Sequence, residues 1–163
     1  MKRTIATGIL SLVIAGLVAA LGLVAPANAS KVGNEGCTPG YWKNHTSNWQ
    51  EAKPTRLLTW DHRSVKIVAF APSTDDLNHD GLPDTYLDAL NFQGGSDLEG
   101  AEQILLRASV AAYLNAAHEG LGYPLRRQQF IAEVNAAIAS GDRQTMIDLA
   151  TRLDNLNNLG CPL

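Results

Sequence analysis

The chain has 163 residues, 45% of them hydrophobic, with 13 basic against 16 acidic side chains and a net charge of −3. That length suits one domain around a single core. The acidic balance and the scattered basic residues argue against non-specific binding to nucleic acid or anionic lipid.

Met1-Lys2-Arg3 is a basic start, an apolar run from Ile9 to Ala20 follows, and Ala27-Asn28-Ala29 before Ser30 has the A-x-A form of a signal-peptidase site. A permanent membrane anchor would need about 20 unbroken apolar residues with flanking charges, whereas here the run dissolves into APANAS. Residues 1–29 are therefore expected to be a cleaved signal peptide, and residues 30–163 a single secreted domain with no membrane anchor. Cleavage removes Lys2 and Arg3 and moves the net charge from −3 to −5.

The segment GCTPGYWKNHTSNW, residues 36–49, gathers Cys37, Tyr41, Trp42, His45 and Trp49. Thr38 before Pro39 is an N-cap and N1 pair, which predicts a short helix with Trp42 and Trp49 two turns apart on one side. Residues 54–70 hold the one strand-like apolar run, Val65 to Phe70, expected as a short hairpin or as extended chain over the rest. Tyr86, Leu87, Leu90 and Phe92 predict one more short helix before the Gly94-Gly95 turn.

Ser96-Asp97-Leu98-Glu99 has the S-x-x-E form of a capping box. Apolar residues then recur on two faces, with Leu98, Ala101, Leu105, Ala108 and Ala112 on one and Leu106, Val110, Tyr113 and Leu114 on the other. A helix from about Asp97 to His118, apolar nearly all round, is expected at the centre of the fold. Phe130, Ile131, Val134, Ala137 and Ile138 mark a second helix stopping at Ser140-Gly141. Asp142 can cap a third, with Met146, Leu149, Ala150, Leu153 and Leu156 on one face. The expected class is mainly α, a small antiparallel helical bundle preceded by an irregular N-terminal segment.

Cys37 and Cys161 are the chain's two cysteines. In an oxidising compartment an even count reads as a disulfide, and two cysteines allow one pairing. A metal-thiolate pair or a catalytic cysteine would call for C-x-x-C or a local Cys/His signature, which the sequence lacks.

On GCTPGYWKNH at the start, LDALNFQGGSDLEGAEQILLRASVAAYLNAAHEGLGYPL in the middle and LDNLNNLGCPL at the end, the chain resembles a family of small secreted bacterial proteins. The resemblance implies secretion and a domain bounded by Cys37 and Cys161. It brings no established activity and no catalytic residues with it. The stretch STDDLNHDGLPDTY departs from the pattern as a richly acidic insertion.

In that insertion Asp76, Asn78, Asp80 and Asp84 follow D-x-N-x-D-G-x-x-D, a spacing that lets alternate oxygen side chains, with the Leu82 carbonyl, converge on a hard cation while Gly81 permits the turn. The pattern is similar to the calcium loops of dockerins and thrombospondin type 3 repeats. The bidentate acid an EF-hand places at loop position twelve is Leu87 here, with Asp88 one residue late. Calcium is the expected cofactor. The plain alternative is a solvated turn in which Asp84 caps the next helix.

For the aromatic segment three readings compete. The rings can pack the N-terminus onto the bundle. Tyr41, Trp42, His45 and Trp49 can form a recognition surface for a glycan or an envelope component. His45 or His62 beside Asp61 can act as a base in an extracellular hydrolase acting on polysaccharide or cell-wall polymer. The sequence contains no G-x-S-x-G, H-E-x-x-H, P-loop or C-x-x-C-H, and the favoured expectation is a secreted, non-catalytic binding or structural module.

Overall fold

A computed structural model of the chain describes residues 33–59 and 70–163. The signal-peptide reading and most of the strand-like run, residues 65–69, lie outside the described residues, as do Asp61 and His62. The described chain is mainly helical: α1 (Pro39–Asn44), a single 3-10 turn at Thr46–Asn48, α2 (Tyr86–Asn91), α3 (Leu98–Ala117), α4 (Arg127–Ala139) and α5 (Arg143–Asn157). Among the described residues, β pairing is limited to two isolated antiparallel bridges, Gly36 with Gly160 and Leu57 with Thr85.

The caps explain where most helices start. The Thr38 hydroxyl accepts from the Tyr41 N–H, the Asp142 carboxylate from the Thr145 N–H, and Thr85 forms a full capping box with Asp88. Such a cap satisfies an otherwise orphaned amide and contributes about 1 kcal/mol. Two sequence expectations shift here. The cap of α3 is Asp97, accepting from the Gly100 N–H at 2.8 Å, and not Ser96. With Asp97 as the cap, the N3 position is Gly100 and no capping box closes; the Glu99 carboxylate is instead engaged by His79 at 2.8 Å. Likewise Asp84 does not cap α2, since Thr85 takes that role.

Helix α3 packs against α1, α2, α4 and α5. Leu105, Leu106, Val110, Tyr113 and Leu114 are buried on it, together with the polar Glu102, Ser109 and Asn115. A helix surrounded on several faces needs apolar residues all round, and each large side chain fully buried contributes about 1.5–3 kcal/mol. The three-residue turn between α4 and α5 reverses the chain, so both return along α3 as a small bundle.

The irregular segments are tied to the bundle at defined points. The Ser73 N–H and hydroxyl donate to buried Glu102 at 2.6 and 2.5 Å. Backbone bonds join the Leu58 N–H to the Asp84 carbonyl at 2.9 Å and the Tyr86 N–H to the Arg56 carbonyl at 2.7 Å. Arg56 lies over the rings of Tyr86 and Tyr113, 5.1 and 5.3 Å from their centroids. At the other end of the molecule Cys37 is bonded to Cys161 across 124 residues of chain. Beside that crosslink Gly36 is required by packing, because a Cβ there would sit 2.1 Å from the Leu156 carbonyl oxygen.

Candidate functional site

The aromatic segment divides into an inner and an outer part. Helix α1 ends at Asn44, and the 3-10 turn folds Trp49 back so that its indole N–H donates to the Trp42 carbonyl at 3.0 Å. Trp42 is completely buried and Trp49 is 9% exposed. The Trp42 indole N–H and the Cys37 N–H both donate to Oδ1 of Asn115, at 3.0 and 2.8 Å. The Asn115 amide returns bonds to the Cys37 carbonyl and to Oδ1 of Asn157, both at 2.9 Å. Asn157 also accepts from the Tyr123 hydroxyl and donates to the Ala108 carbonyl, each at 2.9 Å. A buried network in which each polar group finds a partner fixes the segment's position as well as its stability.

Outside this core stand Tyr41 and His45. Their rings stack 4.2 Å apart at an interplanar angle of 11°, and Tyr41 meets the edge of Trp42 at 5.2 Å. Tyr41 is half-buried and accepts through its hydroxyl from the Asn48 amide at 2.7 Å. His45 is exposed, and its Nδ1 donates to the Tyr41 carbonyl at 2.8 Å. That bond occupies Nδ1 and leaves Nε2 as the ring nitrogen open to a partner. Exposed Lys43 and Asn44 flank the pair.

The acidic loop holds its own amides with its own side chains. Asp76 accepts from the Asp80 N–H at 3.1 Å and the Gly81 N–H at 3.0 Å, Asn78 accepts from the Asp80 N–H at 2.9 Å, and Asp80 accepts from the Leu82 N–H at 2.9 Å. Gly81 sits at φ +85°, the left-handed conformation that glycine adopts without strain, and His79 at φ +59°. Leu82 is exposed at the tip.

Asp84 differs from the others. It is 2% exposed, its Oδ2 accepts from the Leu77 N–H at 2.5 Å, and among the described residues its Oδ1 is buried with no hydrogen-bond partner. Burial pushes its carboxyl above the ordinary carboxylate range; the Leu77 N–H opposes this, while the charges of Asp88, Asp76 and Asp80 add to it. His79 is also shifted upward, chiefly by its hydrogen bond to Glu99 and then by that carboxylate's charge.

As the side chains stand, the described residues contain no group of three or more His, Cys, Asp or Glu arranged to hold a metal ion. The Asp76 and Asp80 oxygens are turned onto loop amides. His45 and His79 are exposed at separate places, and His118 ends α3, where its Nδ1 accepts from the Gly120 N–H at 3.1 Å and its ring lies 5.9 Å from that of Trp42.

Sequence reasoning missed Asn115, Asn157 and Glu102. A signal for the first existed: an amide within a helix apolar on every side is expected to be buried, and a buried amide needs partners. Among the described residues no helix is long and apolar enough to cross a membrane. No protein family, curated protein or solved structure matches the chain.

Proposed function

We propose that the chain is an exported, non-catalytic binding or structural module, stabilised by one calcium ion in its 76–84 loop, that meets a glycan or another envelope component at the Tyr41–His45 edge. The observation that carries the calcium reading is the Oδ1 of buried Asp84, which has no hydrogen-bond partner among the described residues. A buried acceptor without a donor costs about 1–3 kcal/mol, more when charged, and a hard cation removes that penalty while neutralising the repulsion from Asp76, Asp80 and Asp88. Each carboxylate has lone pairs beyond those its loop amides use. Asp76, Asp80 and Asp84, the Asn78 amide oxygen and the Leu82 carbonyl would supply the shell, with Asp88 or water completing it.

The recognition edge follows from the division of the aromatics. Trp42 and Trp49 serve the core, so contact with a partner falls to the Tyr41–His45 stack and its flanking Lys43 and Asn44.

Calorimetric titration of chelator-treated protein tests the calcium reading. A site of the strength usual in extracellular modules, with Kd on the order of 10⁻⁴ to 10⁻³ M, adds about 1.4 kcal/mol of stability at a tenfold excess of calcium over Kd. Magnesium should add less, because it demands tighter octahedral geometry. Absence of both heat and a thermal shift at millimolar calcium would reduce the loop to an acidic turn. A screen of glycans and cell-wall fractions, with His45→Ala as control, tests the recognition edge. Release of soluble fragments from such a polymer would favour the hydrolase instead.

A further inference from the structure

A cavity of about 310 Å³ opens between the acidic loop, the C-terminal end of α2 and the first turns of α3. Its volume lies at the low end of the range for small-molecule sites. Buried Leu77 and Phe92 supply its apolar lining, and Asn78, His79, Asp88, Asn91 and Gln93 its polar lining.

These polar groups are held in place by their other bonds. The Asn91 amide N–H donates to the Leu87 carbonyl at 2.8 Å, and the Gln93 amide N–H to the Asn91 carbonyl at 2.8 Å. Asp88 Oδ2 accepts from the Thr85 N–H and hydroxyl at 2.8 and 2.6 Å. Gln103, which also lines the cavity, accepts from the Gly94 N–H at 3.0 Å and donates to the Leu77 carbonyl at 2.7 Å, fixing the wall against α3. Asn91 and Gln93 each commit one amide N–H to these bonds and keep the second N–H together with the side-chain oxygen, and Asp88 keeps its second oxygen as an acceptor. The His79 ring adds a second nitrogen beyond the one bonded to Glu99.

We infer that this cavity is a binding site for a saccharide of one or two rings. Several pre-positioned acceptors within one small cavity, beside an apolar lining, match a ligand that carries adjacent hydroxyl donors on an apolar ring frame. Holding the acceptors by their own hydrogen bonds lowers the ordering cost of binding. The site is separate from the Tyr41–His45 edge and shares Asn78 and His79 with the calcium loop, and Asp88 with the calcium shell where that residue rather than water completes it. It rests on the calcium reading only in that the ion would stiffen one wall.

The experiment is an NMR titration of the ¹⁵N-labelled exported chain, with calcium present, against glucose, galactose, N-acetylglucosamine and the N-acetylglucosamine dimer, with putrescine as an amine control. Saturable shifts in the side-chain amide signals of Asn78, Asn91 and Gln93 with at least one saccharide are expected. Asn91→Ala and Gln93→Ala should each weaken binding roughly fivefold. Both positions are exposed, so an unchanged thermal midpoint verifies that each variant is folded. No saturable shift with any saccharide, binding left unweakened by both Asn91→Ala and Gln93→Ala, or a response to putrescine alone would overturn the proposal. Calcium heat measured on the same sample separates the two readings. Heat without a saccharide shift sinks the saccharide site alone, and a saccharide shift without heat supports the cavity while removing the calcium.

Discussion

Replacing Asn115 with alanine removes the hub of the buried network. The Cys37 and Trp42 N–H groups lose their shared acceptor, and the Cys37 carbonyl and Asn157 lose a donor. Each buried N–H left without a partner costs about 1–3 kcal/mol, and the vacated space adds to the loss. A total of roughly 3–5 kcal/mol is a large fraction of the stability of a domain this size, for which about 5–15 kcal/mol is usual. Urea unfolding followed by tryptophan fluorescence, with the disulfide intact, reads the loss as a lower midpoint at unchanged slope. Asn115→Asp sharpens the test. It keeps the acceptor shared by the Cys37 and Trp42 N–H groups but turns carboxylate oxygen toward the Cys37 carbonyl and Asn157 Oδ1, in a buried place that raises its pKa. The penalty should therefore grow as pH rises past the unfolded aspartate value of about 4. A loss below about 1 kcal/mol for the alanine variant, or no pH dependence for the aspartate variant, would refute the network as the anchor of the N-terminal segment.

Reduction of Cys37–Cys161, or Cys161→Ser, should lower stability by about 4–5 kcal/mol in the chain-entropy account of a loop this long, and thiol titration of the unreduced, denatured protein should find no free thiol. NMR titration of His79 should give a midpoint above the ordinary imidazole value that falls back in Glu99→Gln. Because the folded-state pKa is the raised one, the contribution of this contact to stability is complete below the unfolded imidazole value and lost as pH climbs through the folded one. An unchanged midpoint in Glu99→Gln would assign the shift to another cause.

Local chemistry carried much of the fold into the sequence. Thr38-Pro39, Asp142 and the Ser140-Gly141 stop are short-range signals, acting within one turn of helix, and the helices begin and end where those signals stand. The two-faced apolar pattern of α3 likewise announced a surrounded helix. What the pattern could not show is which residue meets which. Asn115 and Asn157 lie 42 positions apart and Ser73 and Glu102 29 apart, and such pairs are set by packing. The same limit applied to the aromatic segment. Density of rings there pointed to a minicore or a surface, but the burial of Trp42 and Trp49 and the exposure of His45 depend on how α1 meets α3. In the acidic loop the ligand spacing was legible, whereas the burial of Asp84 follows from the chain at Leu77 and Leu58 folding over it.

The two irregular regions sit at opposite ends of α3. Glu99, Glu102 and Gln103 near its start hold the acidic loop and its approach, and Asn115 near its end holds the disulfide-bearing segment. Thirteen residues from Glu102 to Asn115 span about 20 Å of helix at 1.5 Å per residue, beyond the distance at which mutations usually couple. Asp84→Asn probes the first end cleanly, because the amide oxygen can still accept from the Leu77 N–H while the charge disappears. Asp84 ionises against burial and against Asp88, Asp76 and Asp80, and its raised folded pKa means that its contribution is most favourable at low pH and worsens as pH rises from the unfolded toward the folded value. Without calcium, Asp84→Asn should therefore raise the thermal midpoint at neutral pH and flatten its pH dependence; with calcium, it should abolish the stabilisation by the ion. Combined with Asn115→Ala, its effect should add within about 0.5 kcal/mol. A neutral-pH loss of stability in calcium-free Asp84→Asn would show that the carboxylate is already satisfied without a cation, and a strong coupling between the two variants would show that α3 does not keep its ends independent.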